Sequence, residues 1–176
     1  MQAIFLLHSC KVANAIKKPK KKQKMQTKTI QIHTDGSCLS NPGAGGYCAI
    51  LLYKGVEKII KGAHPLTTNN RMELLAVIEG LKALKEPCNI EIFSDSKYVC
   101  EAINKWLPNW VKKDFDKVKN VELWQEYLSI SKPHKITATW VKGHNGDTMN
   151  EKCDKIAREQ AKSVQKTKID SKINSK

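Results

Sequence analysis

The residues best suited to chemistry in this sequence are four acids, Asp35, Glu73, Asp95 and Asp154. Asp35 and Asp95 each end an apolar run with the alternating pattern of a half-buried strand. If these strands are parallel neighbours, both carboxylates lie at one edge of the sheet, where open α/β sheets bind their ligands. Glu73 falls in the first turn of a predicted helix, and Asp154 falls early in the last one. The placement indicates one acidic site built from separate elements.

Such a site needs a cation, because carboxylates at adjacent strand ends repel each other. A set of ligands made only of oxygen suits Mg²⁺ or Mn²⁺. Each acid also has a structural interpretation. Asp95 and Ser96 precede a predicted helix and fit a helix cap, Glu73 suits the helix dipole, and Asp154 fits an exposed position on an amphipathic helix. Spacing alone leaves both interpretations open, and the joint placement favours the cation site.

The elements that must position these acids have an α/β pattern. Strands are predicted at 30–35, 47–53, 56–60, 90–95 and 136–141, and helices at 71–85, 96–107, 121–131 and 149–163. Lys54 and Gly55 form a tight turn, so the first three strands are expected to form an antiparallel meander. The fourth strand follows a helix and is therefore expected to lie parallel to the first. The sequence predicts an α/β fold with a mixed five-stranded sheet flanked by helices.

The charge is unevenly distributed along the chain. There are 31 Lys and Arg residues against 17 Asp and Glu, a net charge of +14, which favours a polyanionic partner such as nucleic acid or an anionic membrane surface. Residues 1–24 hold seven lysines and no acid, and residues 162–176 hold five lysines and one aspartate, which leaves +3 on residues 25–161. We expect a disordered basic extension or a misassigned start over 1–24, one domain over 25–161, and a flexible lysine-rich tail over 162–176. No apolar run approaches the roughly 18 residues of a membrane span.

Several motifs in the chain resemble those of bacterial type 1 ribonuclease H and of the RNA-degrading domain of retroviral reverse transcriptases. The resemblance covers residues 25 to about 161 and rests on TDGSCLSNPG at 34–43, TTNNRMEL at 67–74, SDSKYV at 94–99, NW at 109–110, KNVELW at 119–124, WVKGHNG at 140–146 and NEKCD at 150–154. It implies a ribonuclease H-like fold and an endonuclease that hydrolyses the RNA strand of RNA–DNA hybrids, giving 5′-phosphate and 3′-hydroxyl ends.

The resemblance also implies roles for the site residues. Asp35, Glu73, Asp95 and Asp154 match the ligands of two Mg²⁺ ions, for which Mn²⁺ is a plausible substitute. His144 matches a loop histidine that moves a proton or assists product release. Its neighbours Gly143 and Gly146 are expected to leave that loop mobile.

Substrate contacts are implied along two strands of a hybrid. Gly36, Cys38, Asn41, Asn69 and Asn70 match residues that contact the minor groove, where RNA displays its 2′-hydroxyls. Asn41 also fits a turn, and Asn69 also fits a helix cap. Lys97 stands where many relatives have glutamine, and a lysine there favours contact with a phosphate.

The DNA strand is expected to meet a phosphate pocket and a basic protrusion. Thr68 and Asn120 match the pocket, but Leu66 stands where some relatives carry arginine, which would weaken it. The set Trp106, Trp110 and Trp124 matches an aromatic cluster near the protrusion. The protrusion itself, residues 111–117 with Lys112 and Lys113, is short here and is diluted by Asp114 and Asp116. At least one tryptophan of the set Trp106, Trp110 and Trp124 is expected to belong to the core instead.

Two other function classes compete with a hybrid-cleaving nuclease. One is a hybrid- or duplex-binding module without activity, which the four acids argue against. The other is a DNA nuclease of the same fold, such as a transposase or junction resolvase. We expect a monomeric cytoplasmic enzyme whose partner is an RNA–DNA hybrid and not a membrane.

Overall fold

The computed structural model describes residues 28–143 and 146–174, with side chains as far as residue 167. Five strands are present: β1 Thr29–Cys38, β2 Gly43–Tyr53, β3 Val56–Thr67, β4 Asn89–Ser94 and β5 Lys135–Trp140. The helices are α1 Asn69–Lys82, α2 Lys97–Glu101, α3 Leu107–Lys112, α4 Val121–Ser131 and α5 Thr148–Asn174, with a π-helical segment Ala102–Trp106 between α2 and α3.

The strands form one mixed sheet in the order β3-β2-β1-β4-β5. The β1–β2 and β2–β3 pairs are antiparallel, whereas β4 is parallel to both β1 and β5. The predicted meander, the parallel pairing of β1 with β4 and the mixed five-stranded sheet are therefore confirmed. The right-handed preference of a strand–helix–strand crossover explains why α1 can return the chain beside β1.

Helices cover both faces of the sheet. Neighbouring residues of a strand point to opposite faces, so Ala49 belongs to the larger hydrophobic cluster with α1, while Cys48 packs with Cys153 and Ala157 of α5. Leu74, Ile78 and Leu81 form the buried side of α1, since each of them is at most 2% exposed. The acidic residues of α1 and α5 are thereby carried by helices fixed to a rigid sheet.

Several element boundaries differ from the predictions. The connection between the strands predicted at 30–35 and 47–53 shortens to residues 39–42, because Ser37 pairs with Gly46 and Cys38 with Gly45 in the β1–β2 ladder. The helix predicted over 96–107 becomes α2, the π-helical segment and α3. Asn104 in the π-helical segment explains part of this change, since its side-chain amide donates to the Ala138 carbonyl of β5 at 2.6 Å.

The last helix is longer than predicted. α5 runs to Asn174 instead of ending near residue 163, so most of the predicted flexible tail 162–176 continues the helix. The stretch from 149 to 176 contains no Gly or Pro that would terminate a helix. The basic extension predicted over 1–24 lies outside the described residues. Within the described part of the chain, no helix combines the length and apolar character that crossing a bilayer requires.

Candidate active site

The parallel pairing of β1 with β4 places Asp35 and Asp95 at the same end of the sheet. Thr34 lies opposite Ser94 in the register, so each aspartate is the next residue beyond this pair. Asp35 is only 5% exposed, and one of its carboxylate oxygens accepts a hydrogen bond from the Gly36 amide at 2.7 Å. The two strand-end carboxylates therefore share one edge, as the sequence predicted.

Close packing of α1 against β1 adds Glu73 to this edge. A Cβ on Gly36 would overlap the backbone of Met72 and Glu73, so only glycine allows the helix to approach here. Glu73 is the fifth residue of α1, which begins at Asn69, so its predicted place in the first helical turn is wrong. Its carboxylate is therefore not explained as a partner of the helix dipole.

The α5 helix brings the fourth acid to the same region. Gly46 of β2 lies against the α5 backbone, where a Cβ would overlap the carbonyl oxygen of Ala157. Cys153 is fully buried, and its thiol donates to the His33 carbonyl of β1 at 3.2 Å. Because Cys153 precedes Asp154 and His33 lies two residues before Asp35, this packing draws the acid of α5 toward the acid of β1.

The surroundings of Asp35 disfavour its charge. The pKa of Asp35 is raised from 3.8 to about 8, chiefly by burial and then by the charges of Asp95, Asp154 and Glu73, while the hydrogen bond from Gly36 opposes the rise. A carboxylate in such surroundings strongly disfavours its own negative charge. The site is thus an accumulation of negative charge that a cation would relieve.

Glu73 is held by two neighbouring polar side chains. Burial raises the pKa of Glu73, and the charge of Asp95 adds to this, while hydrogen bonds from the Ser96 hydroxyl and the Asn69 amide oppose it. The Asn69 amide lies 2.8 Å from one carboxylate oxygen, and Ser96 donates to the other. Both oxygens of Glu73 are therefore oriented.

Ser96 also resolves the helix-cap interpretation of Asp95. Ser96 is the N-cap of α2, and its hydroxyl accepts a hydrogen bond from the Val99 amide at 3.3 Å. The capping role thus belongs to Ser96 and leaves the Asp95 carboxylate available. The sequence reasoning missed the link from Ser96 to Glu73, because nothing in the spacing of two distant residues signals such a contact.

Asp154 forms a side-on ion pair with Arg158. The Nε of Arg158 donates to Oδ1 at 2.7 Å, and a terminal nitrogen of the same guanidinium donates to Oδ2. The side chain of Asp154 is 21% exposed, so it is not simply a solvated residue on a helix. Arg158 was missed at the sequence level, although the i, i+4 spacing of the two residues could have indicated the pair.

Residues 28–143 and 146–174, as placed, contain no group of three or more His, Cys, Asp or Glu side chains close enough together to hold a metal ion. The chemistry of the acids nevertheless fits a hard divalent cation. All their donor atoms are oxygens, and the charge of Asp35 is disfavoured by burial and by three neighbouring carboxylates. We therefore regard this edge as a candidate site for Mg²⁺ or Mn²⁺.

His144 lies outside the described residues. The loop that leads to it passes the acidic site, since a Cβ on Gly143 would lie 2.7 Å from Oδ2 of Asp95.

The residues predicted to contact the minor groove gather beside the acids. The Cys38 thiol donates to the Ser40 carbonyl at 2.7 Å. The side-chain oxygen of Asn41 accepts from the backbone N–H of Asn69 at 3.4 Å. These contacts hold the 39–42 loop against the start of α1. Asn70 is exposed, and Gly36 is explained by its packing against α1. Short polar groups therefore line this side of the site.

The predicted phosphate pocket contains an arginine that the sequence reasoning missed. Asn120 precedes α4, and its side-chain oxygen accepts from Arg71 at 3.4 Å. Arg71 is also paired with Glu122. Thr68 is the N-cap residue of α1, and its side chain makes no capping hydrogen bond. Leu66, which stands where some relatives carry arginine, is 68% exposed.

The tryptophans divide into a core residue and surface residues. Trp124 is fully buried and donates to the Tyr98 hydroxyl at 2.7 Å, which confirms that one of them belongs to the core. Trp110 contacts Trp124, with ring centroids 5.5 Å apart, and Trp106 at 5.6 Å. Trp106 is 37% exposed. The row therefore runs from the core to the surface.

The basic side chains near this row are exposed. Lys112 ends α3, and Lys113 follows it. The short protrusion that they begin is attached to the core through Phe115, which is 9% exposed. Lys97 lies apart from them, with its Nζ 4.8 Å from the centroid of the Trp140 ring. We refer to Trp106, Trp110, Lys112 and Lys113 as the handle.

Comparison with known proteins agrees with this fold. The sequence profile of the RNase H family matches residues 27–162. The chain is 59% identical over 143 residues to the ribonuclease H of Campylobacter curvus, which covers 78% of this chain and 96% of that protein. The crystal structure of LC9-RNase H1, described as a type 1 RNase H with the type 2 active-site motif, superposes with a TM-score of 0.74 at 28% identity, covering 80% of this chain and 75% of that one.

A more distant structure is that of LC11-RNase H1 in complex with an RNA/DNA hybrid. It is 19% identical to this chain, superposes with a TM-score of 0.60, and the match covers 77% of this chain and 98% of that one. At this identity it supports the fold alone. The mixed sheet, the acids that follow its adjacent parallel strands β1 and β4, and the family match together define an α/β nuclease. The chain belongs to the RNase H family. It is an enzyme, a ribonuclease H, and it cleaves RNA internally within RNA–DNA hybrids.

Proposed function

We propose that this ribonuclease H hydrolyses the RNA strand by a mechanism that uses two divalent metal ions, and that it leaves 5′-phosphate and 3′-hydroxyl ends. Asp35, Glu73, Asp95 and Asp154 would hold the ions. The observation that carries the proposal is the buried Asp35 carboxylate, whose pKa is raised to about 8 by burial and by the other three acids. Bound cations would remove this penalty, activate the attacking water and stabilise the leaving 3′ oxygen.

The protein's own part in this reaction is to fix the acids before substrate arrives. The Gly36 amide holds Asp35, and Ser96 with Asn69 holds Glu73. Groups that are already oriented lose little entropy in the reaction. We propose that His144, the residue after Gly143 in the sequence, moves a proton or assists product release.

Selection of the hybrid is assigned to the surface beside the acids. Gly36, Cys38, Asn41, Asn69 and Asn70 offer main-chain and short polar groups, which suit the wide minor groove and its 2′-hydroxyls. The position of these groups beside the acids supports this assignment, since Asn69 donates to Glu73 and Gly36 adjoins Asp35.

The DNA strand is assigned to the phosphate pocket and the handle. Thr68 and Asn120 would contact a phosphate, and the guanidinium of Arg71 lies within reach of the same amide. Lys112 and Lys113, with Trp106 and Trp110, would hold the duplex further along, and Lys97 would reach a phosphate. The domain that does this work is proposed to span residues 25–161 and to act as a monomer in the cytoplasm.

The test compares three labelled duplexes with the full-length protein in Mg²⁺, in Mn²⁺ and in EDTA. We expect the hybrid to be cut in either metal, double-stranded RNA and duplex DNA to remain intact, and EDTA to stop cleavage. Labelling of the products with a kinase or a ligase then identifies 5′-phosphate and 3′-hydroxyl ends. Binding of the hybrid without cleavage would support an inactive binding module, and cleavage of duplex DNA would support a DNA nuclease.

A further inference from the structure

The strongest unassigned feature of the site is the ion pair between Arg158 and Asp154. Nε of the guanidinium donates to Oδ1 at 2.7 Å, and a terminal nitrogen donates to Oδ2, so both carboxylate oxygens are engaged at once. The two residues are one helical turn apart on α5, which keeps the pair in register. Side-on pairing of this kind is the strongest arrangement between arginine and a carboxylate.

The charge of Arg158 also acts on Asp35, and its side chain is partly exposed. The pKa of Arg158 is raised, chiefly by its hydrogen bond to Asp154, then by the charge of Asp154, and to a smaller extent by the charge of Asp35. The side chain of Arg158 is 48% exposed and that of Asp154 is 21% exposed. The guanidinium can therefore swing into solvent without breaking the core.

A divalent cation and this guanidinium would compete for the same atoms. Each oxygen of Asp154 already accepts one N–H group, so a cation bound to either oxygen would lie close to the guanidinium and would be repelled by the positive charge of Arg158. Arginine cannot lose its proton to relieve this repulsion. The closed pair therefore weakens binding of a cation at Asp154, and a bound cation favours its loosening.

We propose that Arg158 is a positioning residue that holds Asp154 in the metal-free enzyme and releases it to a divalent cation. In this way Arg158 sets the concentration of metal at which the site fills. The inference rests on the proposed function, because it takes Asp154 as a metal ligand.

The test measures direct binding of Mg²⁺ and Mn²⁺ by calorimetry, without substrate. We compare the wild type with Arg158→Gln, Arg158→Lys and Lys155→Gln. Arg158→Gln should lower the metal Kd by about 3- to 10-fold, as expected when a competing, partly exposed ion pair is removed. Arg158→Lys keeps the positive charge but cannot donate to both carboxylate oxygens side-on. Its metal Kd should lie between those of Arg158→Gln and the wild type.

Lys155→Gln is the matched control for charge, because Lys155 is exposed on the same helix and its loss changes the net charge equally. Its metal Kd should stay close to that of the wild type. Thermal unfolding provides a second readout: metal-free Arg158→Gln should melt at a lower temperature, and Mg²⁺ should raise its melting temperature more than that of the wild type. Circular dichroism confirms that each variant is folded.

Two failures are distinguishable. In the first, Asp154→Asn weakens metal binding, but Arg158→Gln binds metal as the wild type does, or more weakly. Competition between Arg158 and the cation is then wrong, while the assignment of Asp154 as a metal ligand stands. If Asp154→Asn leaves metal binding unchanged, the assignment of Asp154 as a ligand fails, and the role of Arg158 fails with it.

Discussion

The acidic site and the handle are built in opposite ways. Asp35 is 5% exposed and Glu73 is held by two side chains, whereas Lys112 and Lys113 are exposed and Trp106 is 37% exposed. Chemistry at one phosphate requires groups held within a fraction of an ångström. Attraction of a polyanion acts over about 10 Å at 0.1 M salt and tolerates mobile side chains.

This difference changes how the net charge should be interpreted. The chain carries +14, yet the residues that carry the proposed chemistry are acids. Most of the net positive charge lies in the segments 1–24 and 162–176, so it can raise affinity without helping the reaction. The predictions below separate the two contributions.

The largest expected effect is on cleavage in Asp35→Asn. Removing this charge should lower the rate of hybrid cleavage by about 10²- to 10⁴-fold, the range expected for a positioned catalytic group, while binding of the hybrid persists. A gel assay of cleavage and a binding assay on the same labelled hybrid separate the two. Asp116→Asn, an exposed acid of the protrusion, is the control and should cleave normally. Full activity in Asp35→Asn would show that the acidic site does not carry the chemistry, and it would then not differ from the handle in this respect.

The tryptophan row allows a second comparison, this time of stability. Trp124→Ala empties a fully buried position and should lower the free energy of unfolding by about 3–5 kcal/mol. Trp106→Ala should cost less than about 1 kcal/mol and should instead weaken binding of the hybrid. Urea unfolding and a binding titration measure both. Equal losses of stability would show that Trp106 is part of the core.

The stability of the metal-free enzyme should depend on pH through Asp35. Its pKa is raised from 3.8 to about 8 on folding, so the folded state holds this proton more tightly than the unfolded state. The wild type therefore loses stability as the pH rises from about 4 to about 8. Asp35→Asn has no such charge to bury, so at pH 8 in EDTA its free energy of unfolding should exceed that of the wild type by a few kcal/mol. The difference between the two proteins should disappear near pH 4. Parallel curves for the two proteins would contradict the burial of this charge.

Ser96→Ala tests the support behind Glu73. It removes the hydroxyl that caps α2 and holds Glu73, so cleavage should fall by about 10-fold and stability by about 1 kcal/mol. Ser96→Thr keeps the hydroxyl and should retain most of the cleavage rate and most of the stability. If Ser96→Ala loses stability but cleaves normally, Ser96 acts only as a cap.

The smallest effect is expected in the handle. Replacing both Lys112 and Lys113 by alanine should weaken hybrid binding a few-fold at moderate salt and reduce the salt slope of log affinity by about two. The turnover of bound hybrid should not change. Replacing Lys132 and Lys135, at the other end of the sheet, is the control for total charge. A loss of turnover in the Lys112 and Lys113 variant would show that the handle takes part in positioning the scissile phosphate.

Much of the fold followed from local patterns. Alternation predicted the strands around Asp35 and Asp95, and the turn at Lys54 and Gly55 predicted the hairpin, because each depends on neighbours in sequence. The meander and the parallel return through α1 then followed from rules of connection. The motif resemblance supplied the roles of the acids and of the residues around them.

Contacts between distant residues could not be predicted in this way. The bond from Ser96 to Glu73 joins α2 to α1, and the bond from Asn104 to Ala138 accompanies a π-helical segment that no local signal indicated. Each depends on the distance between elements in space, which sequence spacing does not contain.

The sequence by itself determined the types of the acids, the elements that carry them and the uneven distribution of charge. It did so because helix, strand and turn preferences act over a few residues. Only the tertiary structure decided that Asp35 is buried among the other acids, that Glu73 is held on both oxygens and that Asp154 is already paired with Arg158. These properties depend on burial and on charges brought together by packing, and the same residues in an extended chain would have ordinary pKa values and no common site.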